Sequence, residues 1–192
     1  MEKDKSIVLA YIVGVALGDG NLSNPNGRAT RLRVTCDANY PKMALEIQDA
    51  LSKLFPDNKV SIQPGPKTSY FNISIYSNKL NDYIPWQVNK GPKTKQKPHV
   101  PDWILADATY TKACLRGLIQ TDGSIYTDRG YRMVNFTNNI KALAEDVLNT
   151  ITELGYSPHM YQTMQKSGNI KYTVRLSKEV DRFISEIELS KK

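Results

Sequence analysis

Two short segments of the chain each end in the dipeptide Asp-Gly, and their carboxylates are the residues best placed to do chemistry. The first segment runs from Ile12 to Gly20 and the second from Leu115 to Gly123. Each is compatible with a helix and carries glycine in third place. A carboxylate that recurs at the same place in two copies of one element suggests a two-fold site for divalent metal ions.

The two carboxylates, Asp19 and Asp122, are expected at the C-terminal ends of their helices, where a negative charge is unfavourable. The helix dipole puts negative partial charge there, at a cost of about 0.3–1 kcal/mol each, and two nearby carboxylates repel each other. A divalent cation resolves the conflict, because carboxylates and free backbone carbonyls are ligands that Mg²⁺ accepts. Gly18 and Thr121 are the candidates to supply the carbonyls. Two such ions, about 3.5–4 Å apart, can clamp the attacking and leaving oxygens of a phosphodiester.

Small residues spaced four apart predict how the two helices meet. Gly14 and Gly18 form a smooth stripe on the first helix, and Gly117 and Thr121 form one on the second. Such stripes let helix backbones approach closely, so the two helices are expected to cross and form the interface between halves. The glycines that follow the aspartates are expected to end each helix with a positive φ.

The similarity between the halves continues after each Asp-Gly, at an offset of about a hundred residues. Each half then has an alternating strand, an amphipathic helix, a second strand and a short closing amphipathic segment. These elements lie at 31–35, 44–54, 71–75 and 80–84, and again at 133–137, 144–154, 172–176 and 180–187. Weaker strand signals lie around 22–29, 59–63, 124–126 and 159–164. The pattern predicts an α+β protein of two pseudosymmetric αββαββα halves.

The halves are predicted to span residues 1–100 and 101–192. The connector between them begins at about residue 86 and runs to about 110. It contains Pro92, Pro98 and Pro101 and several lysines. Proline and like charge favour an extended, solvated linker.

Composition limits the class of protein and its partners. The 192 residues include 26 Lys and Arg against 19 Asp and Glu, which gives a formal charge of +7 and favours a polyanionic partner. Cys36, Cys114, His99 and His159 show neither zinc-type spacing nor a disulfide framework. The apolar run 7–17 lacks signal-peptide features and is too short to span a bilayer. We expect an intracellular protein, in the cytoplasm, nucleoid or an organelle matrix, that is not secreted and has no membrane partner.

The paired segments and the repeat resemble a LAGLIDADG homing endonuclease of the single-chain, two-motif type. That resemblance implies a pseudosymmetric monomer, intron-encoded, whose motif helices pack at the centre. It implies two curved antiparallel sheets that form a DNA-binding saddle. The implied activity is that of a meganuclease, which makes a Mg²⁺-dependent double-strand break with 3′ overhangs in a long target site. Mn²⁺ is expected to substitute, and Ca²⁺ to support binding without cleavage.

The resemblance also assigns roles to single residues. Asp19 and Asp122 would be the metal ligands. A polar helper beside each scissile phosphate falls on Cys36 or Asp37 in the first half and on Asn138 or Asn139 in the second. Cys36 departs from the amide expected there. A lysine that activates or positions water falls in the connector, where Lys93 is favoured over Lys95.

Strand alternation predicts which residues face the double-stranded DNA. Arg and Asn on such a face can read guanine and adenine in the major groove, and basic residues in turns can hold phosphates. The sheet positions are Arg31, Arg33, Thr35, Tyr70, Asn72, Ser74, Tyr76, Met133, Asn135, Thr137, Lys171, Thr173 and Arg175, and the turn residues are Arg28, Lys67, Arg129 and Lys166. None of these sheet positions is acidic.

Two other functions are compatible with the same scaffold. One is an intron maturase, which binds intron RNA as a splicing cofactor. The other is a DNA-binding regulator that does not cut. Neither needs metal carboxylates, so the presence of both Asp19 and Asp122 favours the enzyme. The initial Met, without a splicing-type Cys or Ser, favours an intron product over an excised intein domain.

Overall fold

The computed structural model describes residues 3–65 and 69–190. The first half contains α1 (Lys3–Asp19), β1 (Gly20–Ser23), β2 (Arg31–Asp37), α2 (Pro41–Leu54), β3 (Ser61–Pro64), β4 (Tyr70–Tyr76) and α3 (Leu80–Tyr83). The connector forms two helical turns, α4 (Lys93–Gln96) and α5 (Asp102–Leu105). The second half contains α6 (Ala108–Asp122), β5 (Gly123–Asp128), β6 (Tyr131–Asn138), α7 (Lys141–Glu153), β7 (His159–Met164), β8 (Ile170–Leu176) and α8 (Val180–Glu186).

The predicted α+β repeat is confirmed. Each half has a four-stranded antiparallel sheet, with strand order β1-β2-β4-β3 in the first and β5-β6-β8-β7 in the second. The registers are equivalent, because Gly20 pairs with Val34 as Gly123 pairs with Phe136. The domain boundary between residues 100 and 101 stays a prediction.

Glycines bring the backbones of α1 and α6 into direct contact, as the small-residue stripes predicted. A Cβ at Gly14 would lie 2.0 Å from the carbonyl oxygen of Cys114, and one at Gly117 would lie 2.4 Å from that of Tyr11. Both distances are far below van der Waals contact, so only glycine fits. Because α1 is buried from Leu9 to Gly18, this part of its sequence is apolar on all sides rather than amphipathic.

The glycines after the aspartates do not have the positive φ that was predicted. Gly123 is extended, with φ −100° and ψ 166°, and Gly20 also lies outside the left-handed region. Each instead begins a strand directly after the helix. A Cβ would lie 2.4 Å from the carbonyl oxygen of Ala16 at the first and 2.4 Å from that of Ile119 at the second. Glycine is therefore required by close approach to the helix end rather than by backbone conformation.

The starts of α2 and α6 carry residues that favour helix initiation. α2 begins with proline at its first position, where the missing N–H removes no hydrogen bond. The N-cap of α6 is Asp107, whose carboxylate accepts hydrogen bonds from the N–H groups of Thr109 at 2.7 Å and Tyr110 at 3.4 Å. These bonds hold the pKa of Asp107 below its usual range. α2 and α7 bury one apolar face each against their own sheets.

The connector is not the extended, solvated linker that was predicted. Besides its two helical turns, it buries Trp86, Val100 and Ile104 in the common core. His99 and the N–H of Val100 contact the carboxylate of Asp146 on α7, at 3.3 Å and 2.8 Å. Burial of these apolar side chains therefore outweighs the lysine charge, since burying each contributes about 1.5–3 kcal/mol.

Two of the weaker strands begin earlier than predicted. β1 starts at Gly20 and ends at Ser23, whereas the signal was placed at 22–29, and β5 starts at Gly123 and extends to Asp128. Both strands follow their helix without a loop. The helical pattern of the sequence therefore changes to the strand pattern from one residue to the next. Within the described residues, no helix is long and apolar enough to cross a membrane.

We expect Gly14→Ala to destabilise the protein by about 3 kcal/mol or more, because the added methyl group must push two helix backbones apart. Urea denaturation followed by circular dichroism measures the change. Gly91→Ala is the matched control. Gly91 has a φ of 86° and open space around its Cβ, so the substitution should cost only about 1–2 kcal/mol. Equal effects of the two substitutions would contradict close packing at Gly14.

Candidate active site

The crossing of α1 and α6 brings the two aspartates to one end of the helix pair. Asp19 is the last residue of α1 and Asp122 is the last of α6. A Cβ at Gly18 would lie 2.0 Å from the Thr121 hydroxyl and 3.6 Å from the carboxyl carbon of Asp122. The missing side chain at Gly18 thus lets the second aspartate approach the end of the first helix.

A lysine from the connector points into this helix end. Lys93 Nζ donates hydrogen bonds to the carbonyl oxygens of Ala16, at 3.3 Å, and Leu17, at 2.7 Å, and a very short one to that of Gly18. It also lies 5.3 Å from the centre of the Trp86 ring. The last carbonyls of a helix lack intrahelical partners, so the ammonium caps the negative end of α1.

The charge of Lys93 is held between opposing effects. Burial lowers the pKa of Lys93, and the carboxylates of Asp122 and Asp19 act in the other direction. The net direction is downward from its ordinary value. A lysine of this kind can stabilise developing negative charge or position water, as proposed from the sequence. Lys95, the alternative, is exposed and has no such contacts.

The residues beside the two aspartates differ between halves. Asn138, at the end of β6, donates a hydrogen bond from Nδ2 to the Asp122 carboxylate at 2.5 Å. Its Oδ1 accepts a hydrogen bond from the N–H of Ile140 at 2.8 Å, which fixes the amide. The strand registers make Cys36 its counterpart, since each lies two residues beyond the residue paired with the Asp-Gly glycine.

Cys36 is buried, and burial, followed by the nearby Asp19 carboxylate, raises its pKa to about 12. The side chain is therefore a neutral thiol at physiological pH. A thiol is only a weak hydrogen-bond donor, so it cannot hold a carboxylate as Asn138 does.

Most of the predicted site residues line one open cleft of about 290 Å³. It is lined by Gly18, Lys93, Asp122 and Asn138. Lys171 from β8 also lines it, which places a predicted DNA-facing cation at the edge of the same cleft. Asp19 and Thr121 are not among the residues that line it, but Asp19 interacts electrostatically with Lys93, and a Cβ at Gly18 would lie 2.0 Å from the Thr121 hydroxyl.

The proposed donor set consists of carboxylate and carbonyl oxygens. Among the described residues, no group of three or more His, Cys, Asp or Glu side chains is arranged to hold a metal ion. Mg²⁺ does not need such a group, because it is commonly bound by one or two carboxylates, water and substrate phosphates. The carboxylates of Asp19 and Asp122 and the Thr121 carbonyl remain the proposed ligands. The Gly18 carbonyl accepts from Lys93, so it can reach a cation only if the ammonium shifts.

The sheets present the faces that alternation predicted. Leu32 and Val34, and likewise Val134 and Phe136, are buried. The predicted DNA-facing residues lie on the opposite face of the same strands, and all but one are half-buried or exposed. The exception is Thr173, which is only 7% exposed because it lies between neighbouring strands and its hydroxyl lies 3.2 Å from that of Thr137.

The strand pairing adds residues to these faces that sequence reasoning missed. They are Asn21, Ser23, Ser61, Gln63, Ser124, Tyr126, His159, Tyr161 and Thr163. Their strands have weak patterns, so only the register assigns their side. The faces are also not free of acid, since β2 ends with Asp37 and β5 ends with Asp128. Both acids lie at strand ends.

Most of the turn residues that were predicted to contact phosphates are exposed. Arg28, Arg129 and Lys166 are exposed. Arg129 has a φ of 50° in the β5–β6 turn. Lys67 lies outside the described residues.

Each half of the chain matches the model of a LAGLIDADG-like domain. Residues 109–188 match the model of the LAGLIDADG-like domain, and residues 8–72 match that of the WhiA LAGLIDADG-like domain. The chain therefore carries two LAGLIDADG-like domains, one in each half.

Among solved structures, the chain is similar to the homing endonuclease I-DmoI. A structure of mesophilic variants of I-DmoI superposes with a TM-score of 0.70 at 22% identity, covering 98% of both chains. I-DmoI in complex with DNA and Mn superposes with a TM-score of 0.69 at 22% identity, covering 97% of this chain and 98% of that one. Full-length WhiA from Thermatoga maritima superposes with a TM-score of 0.70 at 12% identity, covering 99% of this chain and 58% of that one. At these identities the similarity establishes the fold.

A curated relative is the tRNA-splicing ligase RtcB of Methanopyrus kandleri. It is 24% identical over 210 aligned positions, which cover 93% of this chain and 20% of that protein. The chain thus spans about a fifth of the length of this relative.

We expect Lys93→Met to raise the affinity for a divalent cation about tenfold, because it removes a positive charge beside two carboxylates. Calorimetric titration with Ca²⁺ measures the change. Lys95→Met is the matched control, since it removes an exposed lysine two residues further on, and it should leave the affinity unchanged. Equal affinities of the Lys93 variant and the native chain would place the bound cation away from Lys93.

Proposed function

We propose that this protein is a Mg²⁺-dependent, site-specific endonuclease that cuts both strands of double-stranded DNA. The observation that carries the proposal is the convergence of Asp122, Asn138 and Lys93 at the end of two glycine-packed helices whose last residues are both aspartates. A fold that needed only to bind DNA would gain nothing from like charges at two negative helix ends. The similarity to I-DmoI supports the same proposal.

In this mechanism Asp19 and Asp122 would hold Mg²⁺ at the end of the helix pair, where the scissile phosphates would bind. When bound, Mg²⁺ would stabilise the attacking and leaving oxygens. Lys93 orients water or offsets negative charge at the phosphate nearest α1, since its ammonium already lies among the carbonyls there. Asn138 fixes the orientation of Asp122 through its hydrogen bond. Cys36 cannot do the same for Asp19, so the two strands are expected to be cut at unequal rates.

The two sheets supply the DNA-binding saddle in this proposal. Their outward faces combine Arg and Lys with amides and hydroxyls, while the opposite faces are buried against helices. Base-specific contacts come from residues such as Arg33 and Arg175, and Arg28, Arg129 and Lys166 contact phosphates. We further propose that the active form is a monomer, because each half supplies one aspartate, and that it is intron-encoded.

The second candidate is a DNA-binding regulator that does not cleave. The match of residues 8–72 to the WhiA LAGLIDADG-like domain and the superposition with WhiA favour it. This alternative leaves the paired aspartates without a role. A maturase acting on intron RNA stays a prediction that no observation here favours.

We expect Asp19→Asn and Asp122→Asn to abolish double-strand cleavage, because each removes a metal ligand, while DNA affinity in Ca²⁺ changes less than about threefold. The target is first selected from a randomised duplex library with Mg²⁺, and supercoiled plasmids carrying it then serve as substrate. Asp49→Asn is the matched control, because Asp49 lies on α2 and pairs with Lys53 at 2.7 Å. It should cut normally.

Three outcomes separate the candidate functions. Full cutting by both aspartate variants would refute the metal assignment. A native chain that selects a DNA site but never cuts it, in Mg²⁺ or Mn²⁺, would establish the regulator instead. Affinity that does not fall with rising salt would argue against the basic sheet faces as the binding surface.

A further inference from the structure

Equivalent rows of side chains cross the outward faces of the two sheets, and each row contains one arginine. In the first sheet the row is Asn21, Arg33, Ser74 and Ser61, and in the second it is Ser124, Asn135, Arg175 and His159. The arginine lies on β2 in the first sheet and on β8 in the second. The two halves therefore keep an arginine at one level but shift it by one strand, which is about 5 Å.

Arg175 is held in place by its neighbours. Its Nε donates a hydrogen bond to Asn135 Oδ1 at 3.3 Å, and its Nη2 donates one to the Tyr161 hydroxyl at 2.8 Å. The guanidinium carbon also lies 5.2 Å from the centre of the Tyr161 ring. Asn135 is held in turn, because its Nδ2 donates to the Tyr126 hydroxyl at 3.2 Å.

Arg33 lies in a different environment. Its Nε is buried and has no hydrogen-bond partner in the part of the chain that is described. Its lateral neighbours, Asn21 and Ser74, do not engage this Nε, whereas Asn135 accepts a hydrogen bond from the Nε of Arg175. The two arginines therefore lie in equivalent rows, but only the Nε of Arg175 is held by a hydrogen bond to a neighbouring side chain.

The support leaves Arg175 able to bind a base. A guanidinium has five N–H donors, and the two hydrogen bonds above use one at Nε and one at Nη2. The remaining donors are enough for the bidentate contact to O6 and N7 of guanine. Because the side chain is already ordered, less conformational entropy is lost on binding, and a misplaced base cannot be accommodated by rotation of the arginine.

We propose that Tyr161 and Asn135 are positioning residues that orient Arg175 to read one guanine in the half of the target bound by the second sheet. This inference rests on the proposed DNA-binding function and assigns a specificity role to Tyr161, a residue that sequence patterning does not single out. Arg33 reads its half of the target with less discrimination, because no comparable network orients it.

The test is Tyr161→Phe, which removes the hydroxyl and keeps the ring. Affinity in Ca²⁺ is measured for the selected target and for every single-base change in the half bound by the second sheet. We expect the preference for guanine at one position to fall three- to tenfold, as the loss of one hydrogen bond implies. Affinity for unrelated duplex DNA should not change. Tyr110→Phe, on α6 away from the sheets, is the matched control.

Two further variants separate positioning from a merely structural role. Asn135→Ala removes the other anchor and should reduce preference at the same position. In an Arg175→Ala background, Tyr161→Phe should have no further effect, because its role depends on the arginine. Thermal melting checks that every variant is folded.

Two results would overturn the inference. If Tyr161→Phe lowers affinity equally for all sequences, or acts undiminished without Arg175, Tyr161 does not position the arginine. A native chain that selects a DNA site while Tyr161→Phe leaves its base preference intact would refute this inference alone. A native chain that selects no DNA sequence would refute the proposed function and this inference together.

Discussion

The direct contact between the backbones of α1 and α6 is the constraint on which the rest of the structure depends. Gly14 and Gly117 let the helices cross so closely that a methyl group at either would overlap a carbonyl oxygen. This crossing joins the two halves and sets both Asp-Gly dipeptides at one end of the helix pair. Each strand then starts at the glycine itself, so each sheet is fixed to its helix without an intervening loop. The packing of α1 against α6 therefore sets the geometry of the candidate active site.

The same crossing brings two carboxylates to the negative ends of two helices. The side chains that lie beside these ends differ between the two halves. At the end of α1, the Lys93 ammonium lies against three carbonyl oxygens. At the end of α6, Asn138 donates to Asp122, while the equivalent position in the first half is a buried thiol at Cys36. The carboxylates repeat but their neighbours do not. A pseudosymmetric scaffold of this kind can treat two strands of a duplex unequally, because each half evolves its own contacts around a shared interface.

The sheet faces show the same division between repeated frame and differing detail. The equivalent rows of the two sheets contain one arginine each, Arg33 in the first and Arg175 in the second. The two arginines lie on different strands, and their hydrogen bonds differ. Such differences suit recognition of an asymmetric sequence, since a fully symmetric surface would favour a palindrome. The similarity to both I-DmoI and WhiA fits a scaffold whose frame is shared among proteins, with function set by the residues placed on it.

Sequence patterns alone predicted the repeat, the α+β class, the position of both aspartates at helix ends, and the alternating burial along β2, β4, β6 and, apart from Thr173, β8. These follow from local periodicity and from spacing within one segment, which neighbouring residues impose. Long-range packing, by contrast, folds the connector so that Lys93 reaches α1, and it places Asn138 against Asp122 and Tyr161 against Arg175. Each of these contacts joins residues distant in the chain, and the weak strands β1, β3, β5 and β7 acquire their faces only through pairing. The prediction of positive φ at Gly20 and Gly123 failed for the same reason, because close approach to a helix end is a packing requirement rather than a local preference.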